Sequence, residues 1–306
     1  MAAPTYTRLT FDDLTDWAAD DHQAALDVFR MTHDPQLSAA SGDARIFFET
    51  HFDPVLIEDG KPMLFTGYFE PELTGSRVQD GPYQYPIYAV PDDLNPDTPY
   101  HTRRKIEEDA PLAGRGLELA WLADPVDRFF LQVQGSGRIR LPGGDMMRVG
   151  FGAKNGHPYT SVGKALIARG VFAPDAVSAD AIRDWVQANG EQGRALLWEN
   201  ESYVFFRELT DVPADQGPLG AMGRSITAGR SIAVDPAFTP LGAPVWIEKA
   251  GANPINRLMV AQDTGSAIKG AQRADIFFGT GAAAGAVAGS VNDGGRMVVL
   301  MPKGVA

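Results

Sequence analysis

The chain has 306 residues, 44% of them hydrophobic and 22% charged, which leaves room for two globular domains or for one large domain carrying an insertion. A formal net charge of −12 with no basic face argues against a nucleic-acid partner. The absence of cysteine excludes disulfides and thiolate metal sites, and no stretch approaches the ~18 apolar residues a membrane-crossing helix needs.

The first residues, Met1-Ala2-Ala3-Pro4-Thr5, lack the basic and apolar regions of a leader. Either the protein stays in the cytoplasm or a leader lies outside this sequence. The first fifty residues read as helical. Asp20-Asp21 open a segment with Ala25, Val28 and Phe29 on one face, and a second helix is expected after Ser41-Gly42-Asp43. The texture then changes. Val55-Leu56-Ile57, a Glu58-Asp59-Gly60-Lys61 turn and Met63 to Phe69 read as a hairpin. From Pro71 to about Arg104 the Pro-, Tyr- and Asp-rich chain predicts short strands and loops. Phe129 to Gln134 predicts a strand ending at Gly135-Ser136-Gly137. Helices are expected over Ser161–Arg169, closed by Gly170, and from Ser178 to near Gly190. A Pro/Gly-rich passage from Val212 to Gly220 reads as a crossing between domains. Beyond it the chain is β-rich, with strands at 243–247, 258–261, 276–278 and 297–300.

The chemistry concentrates in this last third. Leu258-Met259-Val260-Ala261 runs into Gln262-Asp263-Thr264-Gly265. A loop with Lys269 and Gly270 leads to Asp275, directly before Ile276-Phe277-Phe278, and Ser231 to Val234 precedes Asp235-Pro236. All three aspartates therefore fall at strand ends, where a rigid scaffold can hold them in a cleft. Asp at such a position also caps turns, the simpler reading for one acid alone. Three together point to chemistry.

Other motifs carry less. The histidines His22, His33, His51, His101 and His157 have no metal-binding spacing. Gln134-Gly135-Ser136-Gly137 lacks the leading glycine and following helix pattern of a nucleophile elbow. Gly279-Thr280-Gly281 to Gly285 opens a small-residue helix after a strand, but too little chain follows for a dinucleotide fold. Close helix packing explains it better. Tyr68, Phe69, Tyr83, Tyr85, Tyr88 and Tyr100 suit either core packing or the faces of sugar rings.

An ordered series of motifs carries a resemblance over most of the chain from about Phe11 onward. Phe65-Thr66-Gly67-Tyr68-Phe69-Glu70-Pro71, Tyr83 to Tyr88, Val133-Gln134-Gly135-Ser136-Gly137, Ala153 to Tyr159, Ser202 to Phe206 and the three-aspartate stretch resemble the membrane-bound lytic murein transglycosylase A family. The resemblance implies a mainly β fold with some α: a double-psi β-barrel built by residues 1–71 and 212–306, a smaller β domain inserted at 72–211, and a groove between them. It implies non-hydrolytic cleavage of the β-1,4 bond between N-acetylmuramic acid and N-acetylglucosamine in peptidoglycan, leaving a 1,6-anhydro ring. It places Asp275 as the catalytic acid with Asp263 and Asp235 in support, although Phe277 or Phe278 stands where the family often has tyrosine. Thr66, Gly67, Tyr68, Gln134, Gly135, Ser136, Lys154, Gly265 and Lys269 fall at expected substrate-binding positions. No metal or cofactor is implied. Peptidoglycan strands are the expected partner of a monomer in the periplasm, held at the outer membrane, if at all, by a leader outside this sequence.

One carboxyl group suffices for such a reaction because the sugar's own C6 hydroxyl is the nucleophile, with an effective molarity as high as ~10⁵ M. The acid must then stay protonated far above the ordinary Asp value of ~3.9, which burial or a nearby ionised aspartate would bring about. Two rivals stay open on the residues alone: a hydrolytic glycosidase using Asp275 and Asp263 as a pair, and a non-catalytic glycan-binding protein whose aspartates cap loops.

Overall fold

A computed structural model describes residues 3–32, 42–173 and 176–304. The chain divides into two compact units, residues 1–69 with 212–306, and residues 70–211. The fold is mainly β with some helix, the class the resemblance implies.

The first unit begins with an exposed strand, β1 (Thr5–Arg8), where only helix was expected. Its four side chains are all exposed, so no hydrophobic alternation betrays it. Helix α1 (His22–Thr32) follows, with the Asp21 carboxylate accepting from the Ala24 N–H at 3.0 Å. Asp20 does not cap the helix; it pairs with the Arg230 guanidinium at 2.8 Å. Helix α2 (Ala44–His51) is capped by Asp43, which accepts from the N–H groups of Arg45 and Ile46. Ser41 and His33 lie outside the described residues. Strands β2 (Phe52–Glu58) and β3 (Leu64–Glu70) then leave this unit's N-terminal half.

The second unit carries β4 (Glu72–Ser76), β5 (Tyr85–Tyr88), α3 (Arg103–Glu108), β6 (Glu118–Leu122) and α4 (Pro125–Gln134). After α4 come β7 (Ser136–Arg140), β8 (Met146–Lys154), α5 (Val162–Ala168), α6 (Ala179–Ala188), α7 (Gly190–Trp198) and β9 (Val204–Glu208). Its six strands pair in the order β5-β6-β4-β7-β8-β9. The strand expected at Phe129–Gln134 is instead the second half of α4. The Asp124 carboxylate accepts from the Val126 N–H at 2.7 Å and Pro125 occupies the first turn, a helix start that outweighs the β-like run behind it. Val126 and Phe129 of α4 pack into one buried cluster with Val162 and Leu166 of α5, Ile182 and Val186 of α6, and Leu196 and Leu197 of α7. Glu70, fully buried where the unit begins, is gripped by Arg148 at 2.6 and 2.7 Å and by Arg138 at 2.9 Å.

Returning to the first unit, the chain forms β10 (Ser231–Val234), β11 (Pro244–Lys249), β12 (Ile255–Thr264) and β13 (Arg273–Thr280). Helix α8 (Gly281–Gly289), β14 (Asn292–Asp293) and β15 (Gly295–Pro302) complete it. Nine strands pair in the order β1-β2-β15-β11-β12-β10-β13-β3-β14. β2 and β3 are thus not a hairpin: β2 lies between β1 and β15, while β3 lies between β13 and β14. Both faces of the central strands are buried. Leu258 and Val260 of β12 pack under α1 and α2 with Trp246, whereas Met259 and Ala261 join Val245, Ile247, Ile232 and Ile276 in a second core. Burial on both faces is why these strands read as continuous apolar runs. No helix among the described residues is long and apolar enough to cross a membrane.

Candidate active site

Two of the three aspartates meet on one face of the central sheet, and the register explains how. Along β10 and β13, Ile232 lies opposite Ile276 and Val234 opposite Ala274, four residues of the second core. The intervening pair is Ala233 and Asp275, which therefore face the other way. On the opposite edge of β10, Ile232 pairs with Ala261, but Ala233 pairs with Asp263, because Gln262 is an extra residue in β12. This bulge turns Asp263 to the face of Asp275; an unbroken ladder would have put Gln262 there. Gln262 itself is buried, bonded to Ser231 and to Thr32 of α1. Ala233 thus sits between the two acids, whose backbones lie two strand spacings apart, about 9.5 Å.

β3 supplies the partners. Thr66 and Tyr68, two residues apart, point to the same face, while Phe65 enters the second core. The Thr66 hydroxyl donates to Asp275 Oδ1 at 2.5 Å, and the Tyr68 hydroxyl donates to Asp263 Oδ2 at 2.9 Å. The backbone N–H groups of Ala221 and Thr264 both donate to Asp263 Oδ1 at 2.9 Å. Arg273, two residues before Asp275 on β13, donates through Nη2 to Thr66 Oγ1 at 2.8 Å and through Nη1 to the carbonyls of Ala274 and Leu64. Phe277, two residues beyond Asp275, is buried, its ring 5.3 Å from that of Tyr68.

These surroundings change the acidity of each group. Burial pushes the Asp275 carboxyl up to about 6; the Thr66 hydrogen bond and the Arg273 charge oppose that shift, and the Asp263 charge adds to it. Burial also raises Asp263 above the ordinary Asp value, against the three hydrogen bonds it accepts. Tyr68 is held well above a normal phenol by burial and by Asp263, so it remains a donor. Burial lowers Arg273, while the Asp275 charge supports its ionised form. The result is a carboxyl able to hold a proton in mildly acidic water, beside a second buried carboxyl that accepts from three donors. Such a pair can divide proton donation from charge stabilisation.

Asp235 has other partners. It follows β10 directly, is buried, and its Oδ2 accepts from the Gly270 N–H at 3.0 Å; Oδ1 accepts from Ala237 N–H at 3.3 Å and approaches Lys269 Nζ at 3.5 Å. Asp235 therefore ties down the loop between β12 and β13, and the exposed Lys269 belongs to that loop. Gly265 lies at its start, where a Cβ would come within 2.8 Å of Ile268. Gly67 has a packing reason too: a Cβ there would meet the Ala288 Cα of α8 at 2.7 Å and the Phe278 ring at 2.8 Å. Gln134, Gly135, Ser136 and Lys154 lie in the second unit. Gly135 ends α4 with φ of 79°, Ser136 opens β7 opposite Gly150, and Lys154 is exposed at the end of β8. Arg273 and the Ala221 N–H escaped the sequence reading. The Arg-x-Asp alternation along β13 could have placed Arg273 beside Asp275; nothing local could have found Ala221. Among the described residues no group of His, Asp and Glu could hold a metal ion.

Comparison with known proteins follows the same two units. The model of the MltA specific insert domain matches residues 64–207, and that of the 3D domain matches 230–301. The membrane-bound lytic murein transglycosylase A of Vibrio cholerae is 36% identical over 246 residues, 77% of this chain and 64% of that protein. The chain thus spans just under two thirds of the length of the curated relatives it matches. The crystal structure of a membrane-bound lytic murein transglycosylase from Agrobacterium tumefaciens superposes with a TM-score of 0.88 at 31% identity, covering 98% of each chain. The structure of Escherichia coli MltA with bound chitohexaose superposes with a TM-score of 0.78 at 29% identity, covering 99% of this chain and 92% of that one.

Proposed function

Because the chain belongs to the membrane-bound lytic murein transglycosylase A family, we propose that it is a peptidoglycan lytic transglycosylase acting through Asp275. Neutral Asp275 gives its proton to the glycosidic oxygen between N-acetylmuramic acid and N-acetylglucosamine. The C1–O bond breaks and the N-acetylglucosamine leaves with a hydroxyl. The C6 hydroxyl of the muramyl residue closes on C1, and its proton passes to the Asp275 carboxylate. The acid is restored and no water is consumed. Asp263, two strands away on the same face, supplies negative potential to the transient oxocarbenium. Tyr68 and the Ala221 N–H hold that carboxylate in place.

The observation that carries this reading is Asp275 itself: a carboxyl on a rigid sheet face, bonded to Thr66 and raised to about 6 chiefly by burial. Intramolecular attack explains why one such acid is enough. The relative that holds chitohexaose supports a sugar-chain substrate. The family supports a periplasmic, membrane-associated setting, and the peptidoglycan strand is the only partner the scheme requires.

The test is mass spectrometry of the products from purified peptidoglycan. Disaccharide-peptides with 1,6-anhydromuramyl ends, one water lighter than hydrolysis products, are expected. Reducing ends instead would assign Asp275 and Asp263 to a hydrolytic pair and sink the single-acid scheme.

A further inference from the structure

We propose that Arg273 is a positioning residue that decides which oxygen of Asp275 carries the acid proton, acting through the Thr66 hydroxyl. The inference rests on the reading of Asp275 as the acid. A guanidinium only donates hydrogen bonds, so its contact with Thr66 Oγ1 makes that oxygen an acceptor. The hydroxyl has one hydrogen, and among the described residues its acceptor is Asp275 Oδ1. Accepting from a protonated Oδ1 through its second lone pair would leave the hydroxyl hydrogen without an acceptor among the described residues. Oδ1 is therefore favoured as acceptor in both protonation states, and the proton of the neutral acid is favoured on Oδ2, the oxygen not engaged by Thr66. Without Arg273 both lone pairs are free and the hydroxyl turns more easily to accept from a protonated Oδ1, which would hide the proton against β3. Arg273 is itself aimed by the Leu64 and Ala274 carbonyls, so the relay is pre-set before substrate arrives. The charged or titratable groups facing Asp275 are Arg273 on its own strand, Asp263 from β12 and Tyr68 from β3.

The experiment is a double-mutant cycle on soluble glycan strands with Arg273→Met and Thr66→Val, reading kcat and KM for anhydro-product release between about pH 4 and 8. Each single variant should lower kcat about tenfold or more with KM little changed, a fraction of what a whole general acid supplies. The double variant should be no slower than the slower single. In both singles the alkaline limb of the pH profile should move up, because each removed interaction favoured the ionised carboxylate. Arg273→Lys should restore that limb, through its charge, more fully than the rate, and Thr66→Ser should recover the activity that Thr66→Val loses. Additive losses in the double variant, or wild-type kcat and pH profile in Arg273→Met, would overturn the relay. If Arg273→Met shows no cooperative melting, the Lys variant and the two Thr66 variants decide the same question. A wild type that makes no anhydro ends, or an active Asp275→Asn enzyme, would instead refute the acid on which the relay depends.

Discussion

Replacing Asp275 by Asn should cut the rate of cleavage and stabilise the fold, and the second effect follows from the same burial as the first. The unfolded carboxyl titrates near 3.8 and the folded one near 6. A raised folded value means the protonated carboxyl is the form the fold prefers. The associated stability is complete below the unfolded value and is lost as pH rises through about 6. At about 1.4 kcal/mol per pKa unit, ionising Asp275 costs the fold up to about 3 kcal/mol by neutral pH. Asparagine keeps the shape and can still accept from Thr66, but it never ionises. The variant should therefore melt like wild type near pH 4 and about 5 °C higher near pH 7. Calorimetry or circular-dichroism melts of both proteins across that range read the difference directly. Loss of a general acid should lower the rate about 10²-fold to 10⁴-fold, read as anhydro ends released from peptidoglycan. A variant that cleaves normally would remove Asp275 from the acid role. One whose stability relative to wild type does not change with pH would show that the carboxyl is not held neutral by burial.

Other consequences are as specific. The initial rate at low substrate should fall about tenfold per pH unit above roughly pH 6, as the free enzyme loses its acid proton; a flat profile to pH 8 would contradict the scheme. Tyr68→Phe removes one of the three hydrogen bonds to Asp263, so that acid should be pushed further up, and the acidic limb of the profile should move to higher pH with a several-fold lower rate. Gly67→Ala sets a methyl 2.7 Å from the Ala288 Cα and should destabilise the first unit by about 1–3 kcal/mol, measured as a lower melting temperature. Glu70→Ala leaves Arg138 and Arg148 without their shared carboxylate and should cost the second unit about 3–5 kcal/mol by denaturant unfolding; a loss below ~1 kcal/mol would mean the triad contributes little.

How far each feature was legible depends on how local its cause is. The strands of the last third were plain in the sequence because both of their faces are buried, which leaves long apolar runs. Helices α5 and α6 were plain because Ser161 and Ser178 announce them, each accepting from an N–H three residues on. Phe129 to Gln134 misled because four apolar residues in a short run fit strand and helix alike, and the Asp124-Pro125 start lay just outside it. The supposed hairpin of β2 and β3 misled for another reason. The turn chemistry was right, but pairing is decided by strands from the far end of the chain, β15 beside β2 and β13 beside β3. No short-range signal encodes that.

The three aspartates show the same limit at the scale of single atoms. Each follows or opens an apolar run, and from that grammar they are equivalent. Their difference arises from what the sheet places opposite them. Asp235 leaves β10 at a turn and spends both oxygens on the Gly270 and Ala237 backbone, so it holds a loop. Asp263 reaches the working face only because Gln262 is an extra residue, and three donors then surround its carboxylate. Asp275 reaches the same face by plain alternation, yet among the described residues it accepts from Thr66 alone. Two buried carboxyls that differ in the number of donors must differ in proton affinity, since each donor to the ionised form lowers it. In the proposed mechanism that asymmetry would assign the roles: the carboxyl with one donor keeps a proton to give, and the one with three donors keeps a charge. The proposed scheme needs no second titrating group at the scissile bond, only a neighbour that stays ionised while the acid does not.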